Sequence, residues 1–132
     1  MDTLVSQSIE VMQEHLEQKH LLLLQEIQPA VLLTGNSILT EILINNLLLN
    51  AIRYSNTGDT IAVHLNQTSL AVHNAGSTAL DKALLFKRFS KLSKNSQGSG
   101  LGLAIIIEIA RYQGWTVDYH FENNQHIFSI HF

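Results

Sequence analysis

Two asparagines and an arginine recur at helical spacing within an apolar segment. Asn46, Asn50 and Arg53 stand four and three positions apart, so their side chains would share one stripe of an α-helix. Amide oxygens can ligate Mg²⁺ or its waters, and a guanidinium can bind a phosphate. The stripe therefore indicates a site for a metal-bound phosphate ligand, with a pair of hydrogen-bonded structural asparagines as the alternative.

Glycines alternate in the sequence GSGLGL at 98–103, directly before a predicted helix. Gly98, Gly100 and Gly102 would let backbone amides approach an anion closely, and the helix N-terminus would add unpaired N–H groups. The segment does not follow a strand, as a dinucleotide-binding fingerprint does, and it lacks the Gly-Lys-Ser/Thr of a P-loop. It predicts phosphate binding outside those two folds.

Two weaker signals accompany these motifs. Asn74 and Gly76 end a predicted strand, where an amide and a glycine could meet the edge of a base, although Asn-Ala-Gly is also a common turn sequence. Five of the eight basic residues cluster in a polar segment. This cluster either faces an anion or belongs to a solvated surface helix. Its members are Lys82, Lys87, Arg88, Lys91 and Lys94.

The elements that position these motifs follow from hydrophobic periodicity and turn signals. We expect helices over 4–19, 37–54 and 101–112, and strands over 20–27, 31–33, 60–66, 69–73, 115–121 and 126–132. The last four strands would form two hairpins, and a polar loop over 77–98 would precede the last helix, which Gly114 ends. This order predicts an α/β two-layer sandwich with helices on one face of a mixed, mostly antiparallel sheet.

Composition narrows the class of protein. A chain of 132 residues with 45% hydrophobic residues and one proline fits a single globular domain over 1–132, with one core. The net charge of −3 gives no general attraction to nucleic acid. Because cysteine is absent, disulfides and thiolate metal sites are excluded, which suits a reducing, cytoplasmic location. The most apolar stretch, 38–52, carries Glu41 and is too short to span a bilayer.

Four ordered motifs together resemble a known family. The segments NNLLLNAIRYS, VHNAG, LFKRFSK and GSGLGLAI are similar to the N box, first glycine box, F box and second glycine box of the catalytic, ATP-binding domain of sensor histidine kinases. That domain belongs to a wider family shared with gyrase, heat-shock protein 90 and the mismatch protein MutL. The resemblance covers nearly the whole chain, from about 9 to 132. It implies a Bergerat-type ATP-binding fold, with ATP and Mg²⁺ as cofactors.

The resemblance also implies roles for the residues of the motifs. Asn46 and Asn50 would hold Mg²⁺ and the phosphates, Arg53 would reach the phosphates, and Tyr54 would pack near the adenine. Asn74 would take the place of the adenine-binding aspartate, beside Gly76, where the base approaches. The phosphates would be cradled by Gly98, Gly100, Gly102 and the amides of Leu101 and Leu103. Residues 77–97 would form the ATP lid, with Phe86 and Phe89 packing it down and Lys91 or Lys94 reaching the γ-phosphate.

Three departures from the family pattern concern the site. Asn74 replaces an aspartate, so the contact to the exocyclic amine of adenine loses its charge. Thr78 replaces the second glycine of the first glycine box, which reduces backbone freedom there. Ile42 stands where many relatives carry an acidic or amide residue. We therefore expect weakened nucleotide affinity, and we assign no general base.

None of the seven histidines has the sequence setting of a phosphoacceptor, including His15. A metal site among His120, His126 and His131 would require these strand residues to converge. The resemblance instead implies a separate dimerisation and phosphoacceptor domain upstream, in a membrane-anchored homodimer whose catalytic portion is cytoplasmic. The phosphate would then pass to an aspartate on the receiver domain of a response regulator.

Two other functions remain open at the level of sequence. An anti-sigma-factor serine kinase has a similar domain, but it normally differs at the first asparagine and lacks the LFKRF segment. A degenerate binding module without kinase activity is compatible with Asn74 and Thr78. Gyrase-like and chaperone-like ATPases rank last because they need further domains and a catalytic glutamate in the N box.

Overall fold

The computed structural model describes residues 1–81 and 101–132, apart from the side chain of Leu101. Within these ranges the chain forms a five-stranded sheet and four helices. In chain order they are α1 (Asp2–Val11), α2 (Gln13–Gln18), β1 (Leu22–Ile27), α3 (Ser37–Tyr54), β2 (Thr60–Leu65), β3 (Ser69–Ala75), α4 (Leu101–Tyr112), β4 (Thr116–Glu122) and β5 (Gln125–His131).

The sheet is mixed, with the strand order β1-β2-β3-β5-β4. Strands β1 and β2 are parallel, and the other three pairs are antiparallel. The predicted α/β two-layer sandwich is confirmed. Alternate residues of β2, β3, β4 and β5 face the core, on which the helices pack, whereas β1 at the edge has no fully buried residue. One cross-strand row of that face contains Val63, Val72, Phe128 and Tyr119, all of them buried.

Helix α3 has the predicted bounds, and side chains satisfy backbone groups at both of its ends. The side-chain oxygen of Asn36 accepts hydrogen bonds from the backbone N–H groups of Ile38 and Leu39, at 2.9 and 3.0 Å, which caps the helix N-terminus. At the other end, the Lys19 ammonium donates to the carbonyl oxygens of Ile52 and Ser55, at 2.8 and 3.0 Å. A cation there also complements the helix dipole. Both contacts hold α3 in a defined position over the sheet.

The opening helix differs from the prediction of one helix over 4–19. It divides into α1 and α2 at Met12, where the backbone N–H is shared between the carbonyl oxygens of Ser8 and Ile9 at 3.1 Å each. The predicted apolar stripe is nevertheless correct, because its members are all buried against the core. They are Val5, Ile9, Met12 and Leu16.

The predicted strand over 31–33 is wrong. Val31 is fully buried, but its backbone bonds go to the start of α1 instead of a neighbouring strand. The terminal amine of Met1 donates to the Val31 carbonyl at 2.7 Å, and the Asp2 carboxylate accepts from the Val31 N–H at 3.2 Å. Because these partners satisfy the backbone groups of Val31, burial does not require pairing in the sheet.

Both predicted hairpins are confirmed. In the first, the Asn66 side-chain oxygen accepts from the backbone N–H groups of Thr68 and Ser69, at 2.9 Å each. In the second, Asn123 and Asn124 adopt positive φ angles of 52° and 57°, the conformation that a two-residue hairpin turn favours. Along the described part of the chain, no helix has the length and apolar character needed to cross a membrane.

Candidate functional site

Helices α3 and α4 pack side by side in opposite directions. Near the end of α4, the side-chain oxygen of Gln113 accepts a hydrogen bond from the Asn36 N–H, at 2.7 Å, just before α3 begins. Near the start of α4, a β-carbon on Gly102 would lie 3.3 Å from the side-chain oxygen of Asn46. Asn46 of the asparagine stripe and Gly102 of the glycine motif, two motifs that each predicted a phosphate site, are therefore adjacent.

The Asn46 amide has a defined orientation. Its nitrogen donates to the Ile42 carbonyl oxygen at 2.8 Å, which turns its oxygen toward Gly102. That oxygen accepts no hydrogen bond from the described residues. One turn later, Asn50 is half-buried and forms no side-chain hydrogen bond within 1–81 and 101–132. Two amides of the predicted stripe thus remain available to a ligand.

The remaining residues of the α3 motif lie at its exposed end. The side chain of Arg53 is exposed, and that of Tyr54 is 42% exposed. Ile42 is also exposed and offers Asn46 only its backbone carbonyl. Because the side chain of Ile42 is apolar, this position provides no carboxylate to act as a general base.

Asn74 lies at the end of β3 with only 2% of its surface exposed. Among the described residues, its only side-chain hydrogen bond runs from its amide nitrogen to the Ala75 carbonyl oxygen, at 3.5 Å. This length is at the outer limit for such a bond. Buried amides normally have well-formed partners, so this one has bonding capacity to spare. Its cross-strand neighbours are Ile61 and His126.

Gly76 is in contact with the His126 ring. A β-carbon at this position would overlap the ring, with Nε2 as the nearest atom, and the Gly76 N–H donates to the Asn124 carbonyl oxygen at 2.9 Å. Glycine is therefore required by a side chain of the protein itself, a reason that the sequence pattern did not suggest. Burial lowers the pKa of His126 below its usual range, so the ring is neutral near pH 7.

His126 and Tyr119 lie beside the predicted base contact, a position that the sequence analysis did not predict. The Tyr119 hydroxyl lies 2.7 Å from His126 Nδ1 and accepts a hydrogen bond from the Leu80 N–H at 3.0 Å. The signal that could have identified them is the period of two in the last hairpin, which places both residues on the buried face with Asn74.

Part of the predicted site lies outside the described residues. This applies to Gly98, Gly100, Phe86, Phe89, Lys91 and Lys94, and to all of the predicted lid beyond Asp81. Leu101 begins α4 as predicted, and Leu103 follows within its first turn, half-buried. Thr78 is exposed, and its hydroxyl lies 3.4 Å from that of Ser77.

The convergence that a histidine metal site would require does not occur. His120 and His126 lie on opposite faces of the sheet, since the cross-strand partner of His126 is Phe121. Within 1–81 and 101–132, no group of three or more histidine, aspartate or glutamate residues is arranged to hold a metal ion. On the face of the sheet away from the helices, the rings of His64 and His73 contact each other, with their centroids 4.7 Å apart. Burial, with a further contribution from His64, lowers the pKa of His73.

Comparison with known proteins establishes the class. The family model of the histidine kinase-, DNA gyrase B- and HSP90-like ATPases matches residues 35–132. The chain belongs to this family, which confirms the resemblance seen in the four motifs. Within it, the chain is similar to sensor kinases. It is 31% identical to the heme sensor protein HssS of Staphylococcus aureus over 133 residues, which cover 96% of this chain and 29% of the relative.

Two further similarities agree with this class. The sensor protein QseC of Escherichia coli strain K12 is 37% identical over 89 residues, covering 65% of this chain and 20% of the relative. The catalytic domain of the histidine kinase ThkA has the same fold, with a TM-score of 0.87 at 19% identity, covering 99% of this chain and 90% of that one. The chain spans less than a third of the length of HssS and of QseC. It corresponds to the histidine kinase-like ATPase domain of these two relatives.

Proposed function

We propose that this domain binds Mg²⁺ and ATP and supplies the γ-phosphate to a histidine on a separate helical hairpin domain, in two-component signal transduction. The observation that carries the proposal is the position of the Asn46 side-chain oxygen, which faces Gly102 at the start of α4. A helix N-terminus attracts phosphate, and an amide oxygen suits Mg²⁺. Both meet at one place on the surface between α3 and α4.

The residues present fit a magnesium ion. The side-chain oxygens of Asn46 and Asn50 accept no hydrogen bond from the described residues, and Gly102 leaves space beside the first of them. Mg²⁺ usually keeps several waters and binds few protein ligands together with substrate phosphates, so the two amide oxygens would hold the ion together with the phosphates of the nucleotide. When bound, the ion would neutralise charge on the phosphates.

The protein's own share of the reaction would be positioning and charge neutralisation, which dominate catalysis of phosphoryl transfer. Asn74 would accept a hydrogen bond from the exocyclic amine of adenine at the end of β3. Arg53, exposed at the end of α3, would contact the phosphates, and Lys91 or Lys94 would reach the γ-phosphate. The apolar Ile42 supplies no carboxylate to act as a general base. The accepting histidine would therefore be activated by groups on its own domain.

The proposed partners follow from the class of relatives. Sensor kinases combine such a domain with a dimerisation and phosphoacceptor domain, and a response regulator receives the phosphate on an aspartate. We place this domain in the cytoplasmic portion of a membrane-anchored homodimer of that kind. His15, which lies exposed on α2, is the nearest internal alternative as phosphoacceptor, but no described contact brings α2 to the start of α4.

Calorimetric titration with ATP, with and without Mg²⁺, tests the first half of this proposal. We expect magnesium-dependent binding, followed by transfer of labelled γ-phosphate to an added helical hairpin domain as acid-labile phosphohistidine. Transfer should be slow because a bimolecular encounter replaces a tethered one. This chain alone should remain unlabelled. A folded chain that binds no nucleotide would be a degenerate module, and stable phosphoserine on a partner would indicate an anti-sigma-factor kinase.

Replacing Asn74 with Asp should strengthen ATP binding several-fold at pH 8. A charged acceptor adds about 0.5 to 1.5 kcal/mol to a hydrogen bond. Because Asn74 is only 2% exposed, the free protein should lose more than the roughly 1 to 3 kcal/mol that a neutral buried group without a partner costs, since the new group is charged. Calorimetry and thermal unfolding measure the two effects separately.

The matched control for this substitution is Asn66→Asp, which adds the same charge in the turn between β2 and β3 and retains a capping oxygen. It should leave ATP binding unchanged. GTP should gain nothing from Asn74→Asp, because guanine presents an acceptor at the corresponding ring position. Equal or weaker ATP binding in Asn74→Asp would show that the base is held by other groups.

A further inference from the structure

Tyr119 connects two parts of the chain that flank the candidate base site. The residue lies on β4 with 4% of its surface exposed. Its ring packs against that of Phe128, with the two centroids 5.0 Å apart. Its hydroxyl accepts a hydrogen bond from the Leu80 N–H at 3.0 Å and lies 2.7 Å from His126 Nδ1. The Tyr119 hydroxyl thus hydrogen-bonds both to the Leu80 N–H and to the His126 ring.

The chemistry of the groups allows the Tyr119 hydroxyl to take part in both bonds at once. The Leu80 backbone can only donate through its N–H, so the Tyr119 oxygen is the acceptor in that bond. The hydroxyl has one proton and a second lone pair, so it can donate to His126 Nδ1 in one tautomer of the neutral ring and accept from Nδ1–H in the other. Burial lowers the pKa of His126, which favours the neutral ring.

The same ring touches Gly76 with its other edge. Nε2 is the ring atom nearest to the place where a β-carbon would stand, and the Gly76 N–H donates to the Asn124 carbonyl oxygen at 2.9 Å. The chain beyond β3 is consequently held at two points, at Gly76 by β5 and its turn and at Leu80 by Tyr119. Asn74, opposite His126 in the sheet, precedes both points.

We propose that Tyr119 and His126 are positioning residues for nucleotide binding, which hold residues 76–80 beside Asn74 so that the base site exists before the nucleotide arrives. This inference rests on the proposed function of the domain. A site that is already ordered loses less conformational entropy on binding. Neither side chain needs to touch the nucleotide, because each acts through the backbone segment that it holds.

Tyr119→Phe tests the proposal by removing one oxygen and retaining the packed ring. We expect the Kd for ADP to rise about three- to tenfold, as for one lost hydrogen bond. The Leu80 amide should exchange its hydrogen with solvent faster, and nitrogen NMR of the His126 ring should show a changed balance of its two neutral tautomers, because Nδ1 has lost its partner. Tyr112→Phe is the matched control, since Tyr112 is 77% exposed on α4 and should change none of these values.

A comparison at His126 separates hydrogen bonding from packing. His126→Asn places an acceptor oxygen near the former Nδ1, whereas His126→Leu offers none, so the Asn variant should bind ADP more tightly than the Leu variant. Unchanged ADP affinity in Tyr119→Phe, with the parent chain binding normally, would overturn this inference alone, as would unchanged exchange at Leu80. If the parent chain binds no nucleotide, the proposed function is wrong, and this inference is wrong with it.

Discussion

A methyl group at Gly76 is expected to weaken nucleotide binding roughly tenfold or more and to lower the free energy of unfolding by about 1 to 3 kcal/mol. In Gly76→Ala the new β-carbon would overlap the His126 ring. The ring must then rotate, which breaks its hydrogen bond to the Tyr119 hydroxyl. Gly76 has no positive φ angle, so the cost is steric and does not arise from backbone strain.

The double variant Gly76→Ala with His126→Ala separates the two effects. Removing the ring eliminates the overlap, so much of the lost stability should return in chemical denaturation. Nucleotide binding should remain weak, because the Tyr119 hydroxyl still lacks its hydrogen-bond partner on His126. If the single variant Gly76→Ala has the same free energy of unfolding and the same ADP affinity as the parent chain, the contact between Gly76 and His126 does not constrain the site.

Loss of the side-chain amide at Asn50 is expected to abolish the magnesium-dependent part of ATP binding, a change of roughly tenfold or more in Kd. The fold should be almost unaffected. Asn50 is half-buried and makes no side-chain hydrogen bond within the described residues, and alanine has the higher helix propensity. Titration of Asn50→Ala with ATP, with and without Mg²⁺, measures the effect directly.

Asn45→Ala is the matched control on the same helix. Asn45 lies off the stripe, and its side-chain oxygen is buried without a hydrogen-bond partner in the part of the chain that the structure describes. Removing the Asn45 amide therefore breaks no hydrogen bond of that oxygen among the described residues. The magnesium dependence of ATP binding should remain unchanged. Should Asn50→Ala retain the magnesium dependence of the parent chain, the asparagine stripe would be structural and not a metal site.

Local signals were sufficient for most of the secondary structure. The cap at Asn36 and the apolar period define α3 within a few neighbouring residues, and turn residues define both hairpins. The strand predicted at Val31 failed because distant partners decide the outcome: Val31 is buried by contacts with Met1 and Asp2 that no local pattern contains. The break at Met12 was missed for another reason, because it interrupts a helix without interrupting its apolar stripe.

The sequence by itself determined which residues share a face of one element, because helical and strand periods are properties of the local backbone. Asn46 and Asn50 share a stripe of α3 for that reason. Only the tertiary structure decided that Asn46 meets Gly102, since this depends on the direction and level at which α4 packs on α3. The position of His126 opposite Asn74 likewise required β5 to insert between β3 and β4. Pairing between distant strands is chosen by packing of the whole core, which no short segment encodes.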